Sequence, residues 1–196
     1  MDALAGELIA RVGDDSRWMI LSDHGFARVR GEVNVNALLR DAGLLRYSPA
    51  DAMNLDPIEV SSKVFSLLPG RIYINLAGRE KRGCVAQEDY ESVVRDVAQV
   101  LTESRHPETG EALFAAVHRT RDVYSGPLLP QACDLIAIGR EGLDLRAGFR
   151  AGETFAPASH AGIHTYGDAF VIADEILSGD EATIRDVGRR IGDVLL

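Results

Sequence analysis

Apolar residues follow two patterns in this chain, one helical and one continuous, and the two alternate from end to end. Between Ala3 and Val12, the side chains of Leu4, Leu8, Ile9 and Val12 fall on one helical face, and Gly13-Asp14-Asp15 stops the pattern. This predicts an amphipathic helix packed on a sheet. Trp18 to Leu21 is a short apolar run of strand length, followed by Ser22-Asp23-His24-Gly25. Val35 to Arg40 reads as a short helix ended by Gly43, and Tyr47 to Pro57 as a polar, Pro-containing surface loop. Lys63 to Leu68 and Arg71 to Leu76 both read as strands, with Pro69-Gly70 as the turn between them. The longest helical pattern runs from Gln87 to Glu103, where Tyr90, Val93, Val94, Val97, Val100 and Leu101 form one stripe, and it stops at His106-Pro107. Leu113 to Val117 predicts a strand leading to His118. Leu135 to Ile138 and Ala169 to Ala173 read as central strands, and Ala182 to Leu196 as a closing helix. Strands alternating with helices predict an α/β fold, with a mixed, mostly parallel sheet covered by helices on both faces.

That architecture gives the end of the first apolar run a chemical meaning. A buried strand from Trp18 to Leu21 delivers a carboxylate, Asp23, and an imidazole, His24, side by side at its C-terminal end, where open α/β sheets place their chemistry. Oxygen and nitrogen donors of this kind suit a divalent cation, and Gly25 lets the backbone turn away from it. The alternative is a strand-to-loop corner in which Asp23 caps local amides and His24 is half buried.

Composition narrows the class of protein. A chain of 196 residues with 46% hydrophobic content can bury a sizeable core as one domain or as a large part of a bigger one. A formal net charge of −9 argues against a nucleic-acid groove as the main surface, while a phosphate ester at a metal site remains compatible with it, because the metal supplies the local positive charge. No apolar run is long enough to span a bilayer, and Met1-Asp2-Ala3-Leu4 lacks the basic start of a signal peptide. Cys84 and Cys133 have no metal or redox spacing and sit among apolar residues, so they read as buried free thiols in a reducing, cytoplasmic compartment. The cluster Gly78-Arg79-Glu80-Lys81-Arg82-Gly83 reads as a solvated turn, and His106 and His118 as surface histidines.

Across nearly its whole length, and in order, the chain resembles the type I phosphodiesterase and nucleotide pyrophosphatase family of the alkaline phosphatase superfamily. The residues that carry the likeness are Ser22-Asp23-His24-Gly25, Gly70 to Glu80, Thr109-Gly110-Glu111, Tyr124-Ser125-Gly126, Asp134-Leu135-Ile136 and Gly162-Ile163-His164. The resemblance implies a two-metal site in which Asp23, His24 and His164 are ligands. It further implies a small phosphate-ester substrate and a divalent metal, zinc first, with manganese or iron as alternatives. The context of His164 agrees, since Ala161 to Gly167 reads as a Gly-bearing loop just before an apolar strand. Gly162 argues against a helical pair of His160 with His164, which leaves His160 as a loop residue or as support for a ligand.

The chain also departs from the family. A complete site needs a Thr or Ser nucleophile on an early turn and an Asp-x-x-x-His motif, and neither is found in these 196 residues. Cys133 stands where the family usually carries Pro, and Arg189-Arg190 stand in place of a Pro-Thr pair. The resemblance therefore implies that residues 1–196 are the C-terminal part of one alkaline-phosphatase-like domain, with 44–130 as an inserted or peripheral segment. Such a chain supplies half of a two-metal site and no catalytic residue of its own. The alternative is a non-catalytic binding or oligomerisation module derived from such an enzyme, working as a homo-oligomer or with a partner chain, and without nucleic acid or membrane as partner.

Overall fold

A computed structural model describes residues 2–12, 16–47, 58–149, 152–174 and 183–195. The expected helix stop at Gly13-Asp14-Asp15, the loop beyond Tyr47 and the start of the closing helix at Ala182 lie outside the described residues. The chain divides into two compact units, one formed by Met1–Phe26 with His164–Leu196 and the other by Ala27–Ile163.

The larger unit is mixed α/β. Its strands are β3 (Gly31–Asn34), β4 (Val64–Leu68), β5 (Arg71–Ile74), β6 (Phe114–Arg119), β7 (Leu135–Gly139), β8 (Leu143–Arg146) and β9 (Phe155–Ala156). They form a four-stranded sheet in the order β4-β5-β7-β6 and a three-stranded sheet in the order β8-β3-β9. Helix α2 (Val35–Asp41) packs against β4 and β8, α3 (Tyr90–Glu103) against β5, β6 and β7, and the short α4 (Thr120–Val123) against β6. The apolar stripe of α3 does what its spacing requires: Val93, Val94, Val97 and Leu101 are buried in the core with Ile72, Ile74, Leu113 and Leu135. Helix α2 is set by its own first residues. The Asn34 side chain accepts from the amides of Asn36 and Ala37, and Gly43 follows the helix in the left-handed region at φ 73.

The expectation of a mostly parallel sheet fails here. The pairs β4–β5, β5–β7, β6–β7 and β3–β9 are antiparallel, and β3–β8 is parallel. For β4 and β5 the reason lies in the Pro69-Gly70 turn, because two strands joined by two residues can only fold back on each other. Gly70 sits at φ 68 with its Cα against the Ala137 carbonyl, a place that a side chain cannot occupy. As read from sequence, Leu135 to Ile138 lies in the interior of its sheet, in β7.

The smaller unit contains α1 (Asp2–Val12), β1 (Met19–Leu21), β11 (Val171–Ala173) and α5 (Ile184–Leu195). Strands β1 and β11 pair antiparallel as a two-stranded sheet, so neither is the buried central strand expected of it; Leu21 and Ile172 are exposed. Helix α1 has its predicted face but no buried residue, because Leu4, Leu8 and Val12 are all exposed. Among the described residues, Val187 of α5 is the one buried hydrophobic side chain of this unit. A further pair, β2 (Gly25–Arg28) with β10 (Gly162–Thr165), contains the boundary between the units within both strands.

Candidate metal centre

Asp23 and His24 occupy the bend between β1 and β2. Two bonds at 3.0 Å hold the end of β1: the Ser22 amide donates to the Phe170 carbonyl, and the Phe170 amide to the Ser22 hydroxyl. In His24, Nδ1 lies 2.9 Å from the Gly25 carbonyl oxygen. A carbonyl can only accept, so Nδ1 carries the proton, and in the neutral ring Nε2 keeps its lone pair. That nitrogen is 3.4 Å from Oδ1 of Asp23. Two lone pairs facing each other at this distance call for a proton or a cation between them, and a backbone carbonyl on the opposite ring nitrogen is how a histidine ligand is commonly oriented.

His164 is brought to the same place from the far end of the sequence. Its ring stacks on that of His24 with centroids 3.7 Å apart and planes 22° from parallel, and the Phe26 ring stands 5.7 Å from it. His164 lies on β10, not in the loop that its glycines suggest, and it is exposed. Pairing of β10 with β2 makes the reason plain: Gly162 is a strand residue here, in an extended conformation that needs no loop. The site is open, with the Asp23 side chain 85% exposed. Asp23, His24 and His164 do not offer one ligand atom each within 4.8 Å of one another.

Sequence reasoning missed Asp168. Its carboxylate covers Gly25 so closely that a side chain there would collide with it, and it accepts a hydrogen bond from the Thr165 hydroxyl. The signal was an acidic residue four positions after His164, in the turn that leaves β10.

Among the described residues, one set of three metal-type donors does lie within 4.8 Å, namely Glu32, Asp144 and His160. The register explains it. Glu32 on β3 and Asp144 on β8 are direct partners, so their side chains stand next to each other on one face, and Arg146 two residues on shares that face. His160 reaches over them, with Nδ1 3.5 Å from Glu32 Oε1 and Nε2 3.4 Å from Asp144 Oδ2. Arg146 already balances the two acids, at 3.1 Å from Glu32 and 3.0 Å from Asp144. Bonds from the Ser159 hydroxyl, above all, and from Arg146 hold the Glu32 carboxyl down at about 2. His160 thus sits in a donor cluster of its own, which could hold a metal only if the guanidinium moved aside.

Two other expectations change. Arg79 is not in a solvated turn, since it turns inward to the buried Asp134 carboxylate at 2.6 Å. Cys84 is exposed, while Cys133 is buried as expected. His118 is exposed, and the His106 ring packs edge-on against Phe155 with centroids 4.1 Å apart.

Residues 1–167 match the model of the type I phosphodiesterase / nucleotide pyrophosphatase family. The chain belongs to this family. The matched span includes both donor clusters, and the family is one of phosphodiesterase- and pyrophosphatase-type hydrolases. No curated protein and no solved structure matches the chain. No helix among the described residues is long and apolar enough to cross a membrane.

Proposed function

We propose that this phosphodiesterase-family chain contributes Asp23, His24 and His164 to a two-metal site that hydrolyses phosphodiester or pyrophosphate bonds. The observation that supports this most is the stacking of His24 and His164 at 3.7 Å beside Asp23, with His24 Nε2 left as the ligating atom by the bond from Nδ1 to Gly25. Two imidazoles and a carboxylate suit zinc first, with manganese and iron also accommodated by the donor set. When bound, such cations lower the cost of charge developing on the phosphoryl oxygens and activate an attacking oxygen. The residues of this chain do something more limited. They bind and orient, and they hold His24 in one tautomer. Three ligands divided between two cations hold neither well, so on this reading the chain by itself binds metal weakly and turns over little. On this reading the fold is the C-terminal part of an alkaline-phosphatase-like domain with an insertion, and the substrate is a small phosphate ester.

The second reading, a non-catalytic binding or oligomerisation module, draws on two observations. Leu4, Leu8 and Val12 leave the apolar face of α1 uncovered, and no Asp-x-x-x-His motif accompanies the ligands.

Calorimetry with zinc and with manganese decides between them, on the chain and on Asp23→Ala and His164→Ala. The metal reading expects weak binding that both substitutions abolish, and hydrolysis of bis(p-nitrophenyl) phosphate far below that of a full enzyme. Binding that survives both substitutions would remove Asp23 and His164 from the site, and fast turnover by this chain alone would overturn the half-site account.

A further inference from the structure

The larger unit contains a cavity of about 230 Å³ whose wall includes no residue of either donor cluster. Its wall includes the consecutive residues Arg119, Thr120 and Arg121, at the end of β6 and just beyond it, together with the apolar Val94, Leu129 and Pro130. Both arginines reach a single carboxylate. Arg119 Nη1 donates to Glu91 Oε2 at 2.7 Å and Arg121 Nη1 to Glu91 Oε1 at 3.0 Å, and Glu91 is not part of the cavity wall. Two guanidiniums on one carboxylate leave an uncompensated positive charge. They also leave most of their donors unused by it, since each fork offers five N–H groups. The same pair of cations holds the Glu91 carboxyl below its usual range, Arg119 first.

The acid that does line the cavity takes none of the donors of Arg119 and Arg121. Asp134 is saturated, its two oxygens taking bonds from both terminal nitrogens of Arg79, from the Tyr90 hydroxyl and from the Ile74 amide. Arg79 also donates from Nε to Glu80 at 2.9 Å, and neither Arg119 nor Arg121 is drawn to Asp134. Thr120, buried, has its hydroxyl 3.3 Å from the Cys133 sulfur, a weak partner that it can exchange for a better acceptor. The wall therefore offers two forks and a hydroxyl to one tetrahedral oxyanion, and an apolar surface to whatever that oxyanion is attached to. We infer that this cavity is a binding site for the phosphoryl group of a small organic phosphate, separate from the proposed metal centre.

The test is calorimetry at low ionic strength, in the presence of a chelator, with inorganic phosphate and with phenyl phosphate as probes. Saturable binding of either probe is expected, and tighter binding of phenyl phosphate than of inorganic phosphate assigns the site to an organic ester, whereas equal affinity assigns it to free phosphate. Arg119→Gln and Arg121→Gln should each weaken binding about ten-fold, the loss of one charge-assisted contact. Glu91→Gln should tighten it, because both forks are then released. His164→Ala should leave it unchanged. The opposite signs of the arginine and glutamate variants separate binding from damage to the fold, and thermal midpoints of all three check the fold directly. The inference is overturned if the wild type binds neither probe, if the arginine variants bind like wild type, if Glu91→Gln weakens binding, or if His164→Ala abolishes it.

Discussion

Asp134 is the residue whose loss should cost the larger unit most. Its side chain is 3% exposed, and it holds four donors: Arg79 Nη1 at 2.8 Å, Arg79 Nη2 at 2.6 Å, Tyr90 Oη at 2.7 Å and Ile74 N at 2.6 Å. Burial and this bond together push the Tyr90 hydroxyl up to about 12. Replacing Asp134 by Ala leaves a hydroxyl and a backbone amide without their acceptor, and a half-buried guanidinium with Glu80 as its remaining carboxylate. Removing one partner of a buried ion pair costs about 3–5 kcal/mol, which for a chain of this size lowers the thermal midpoint by roughly 10 °C. The hydroxyl and amide bonds contribute as well, so Tyr90→Phe, which removes only one donor, is expected to cost about 1 kcal/mol. Arg79→Met, which removes the charge that Asp134 neutralises, should cost nearly as much as Asp134→Ala, and the double variant should cost clearly less than the sum. Urea unfolding followed by fluorescence and far-UV circular dichroism measures all four proteins. A loss under about 1 kcal/mol for Asp134→Ala, or strict additivity of the pair, would show that the ion pair does not hold this unit together.

Two further outcomes are expected. Asn36 is fully buried and makes three bonds at 2.9 Å, donating to the Ser66 and Ala147 carbonyls and accepting from the Ser66 amide, so Asn36→Ala should cost about 2–3 kcal/mol in the same unfolding assay. The Glu32 carboxyl is lowered from 4.5 to about 2, so it stabilises the fold above its unfolded value and that contribution fades as the pH falls from about 4.5 towards about 2. Glu32→Gln should flatten the acid limb of the stability profile in that window, and an unchanged limb would remove the network with Ser159 and Arg146 from the account.

What the sequence made legible was helical periodicity and turn chemistry. The stripe of α3, the stop of α2 at Gly43 and the Pro69-Gly70 turn are all local signals, and each formed as its residues require. Strand direction was not legible, because an apolar run such as Leu135 to Ile138 reads the same beside a parallel or an antiparallel neighbour. Burial of the smaller unit was misread for a related reason. The face of α1 predicts that Leu4, Leu8 and Val12 want cover but not that cover is present, and here they are exposed. At the candidate site, Asp23-His24-Gly25 stood out because three informative residues are adjacent, whereas Asp168 has only a single carboxylate after a tyrosine and a glycine to mark it. Glu32, Asp144 and His160 are scattered over three segments that only sheet register brings together, so no spacing rule could have found them.

The bond between Arg79 and Asp134 also changes what the family likeness is evidence for. Gly78-Arg79-Glu80 and Asp134-Leu135-Ile136 are two of the segments by which the chain resembles the phosphodiesterases, and the structure joins them by a buried fork of hydrogen bonds within one scaffold. Their shared presence is a record of inheritance in architecture. A descendant that had lost every metal ligand would still keep both, because shedding either one alone leaves its partner buried and charged. On the proposed reading, sorting working hydrolases from silent relatives therefore falls to Asp23, His24 and His164, and the arginine and the aspartate speak only for the scaffold.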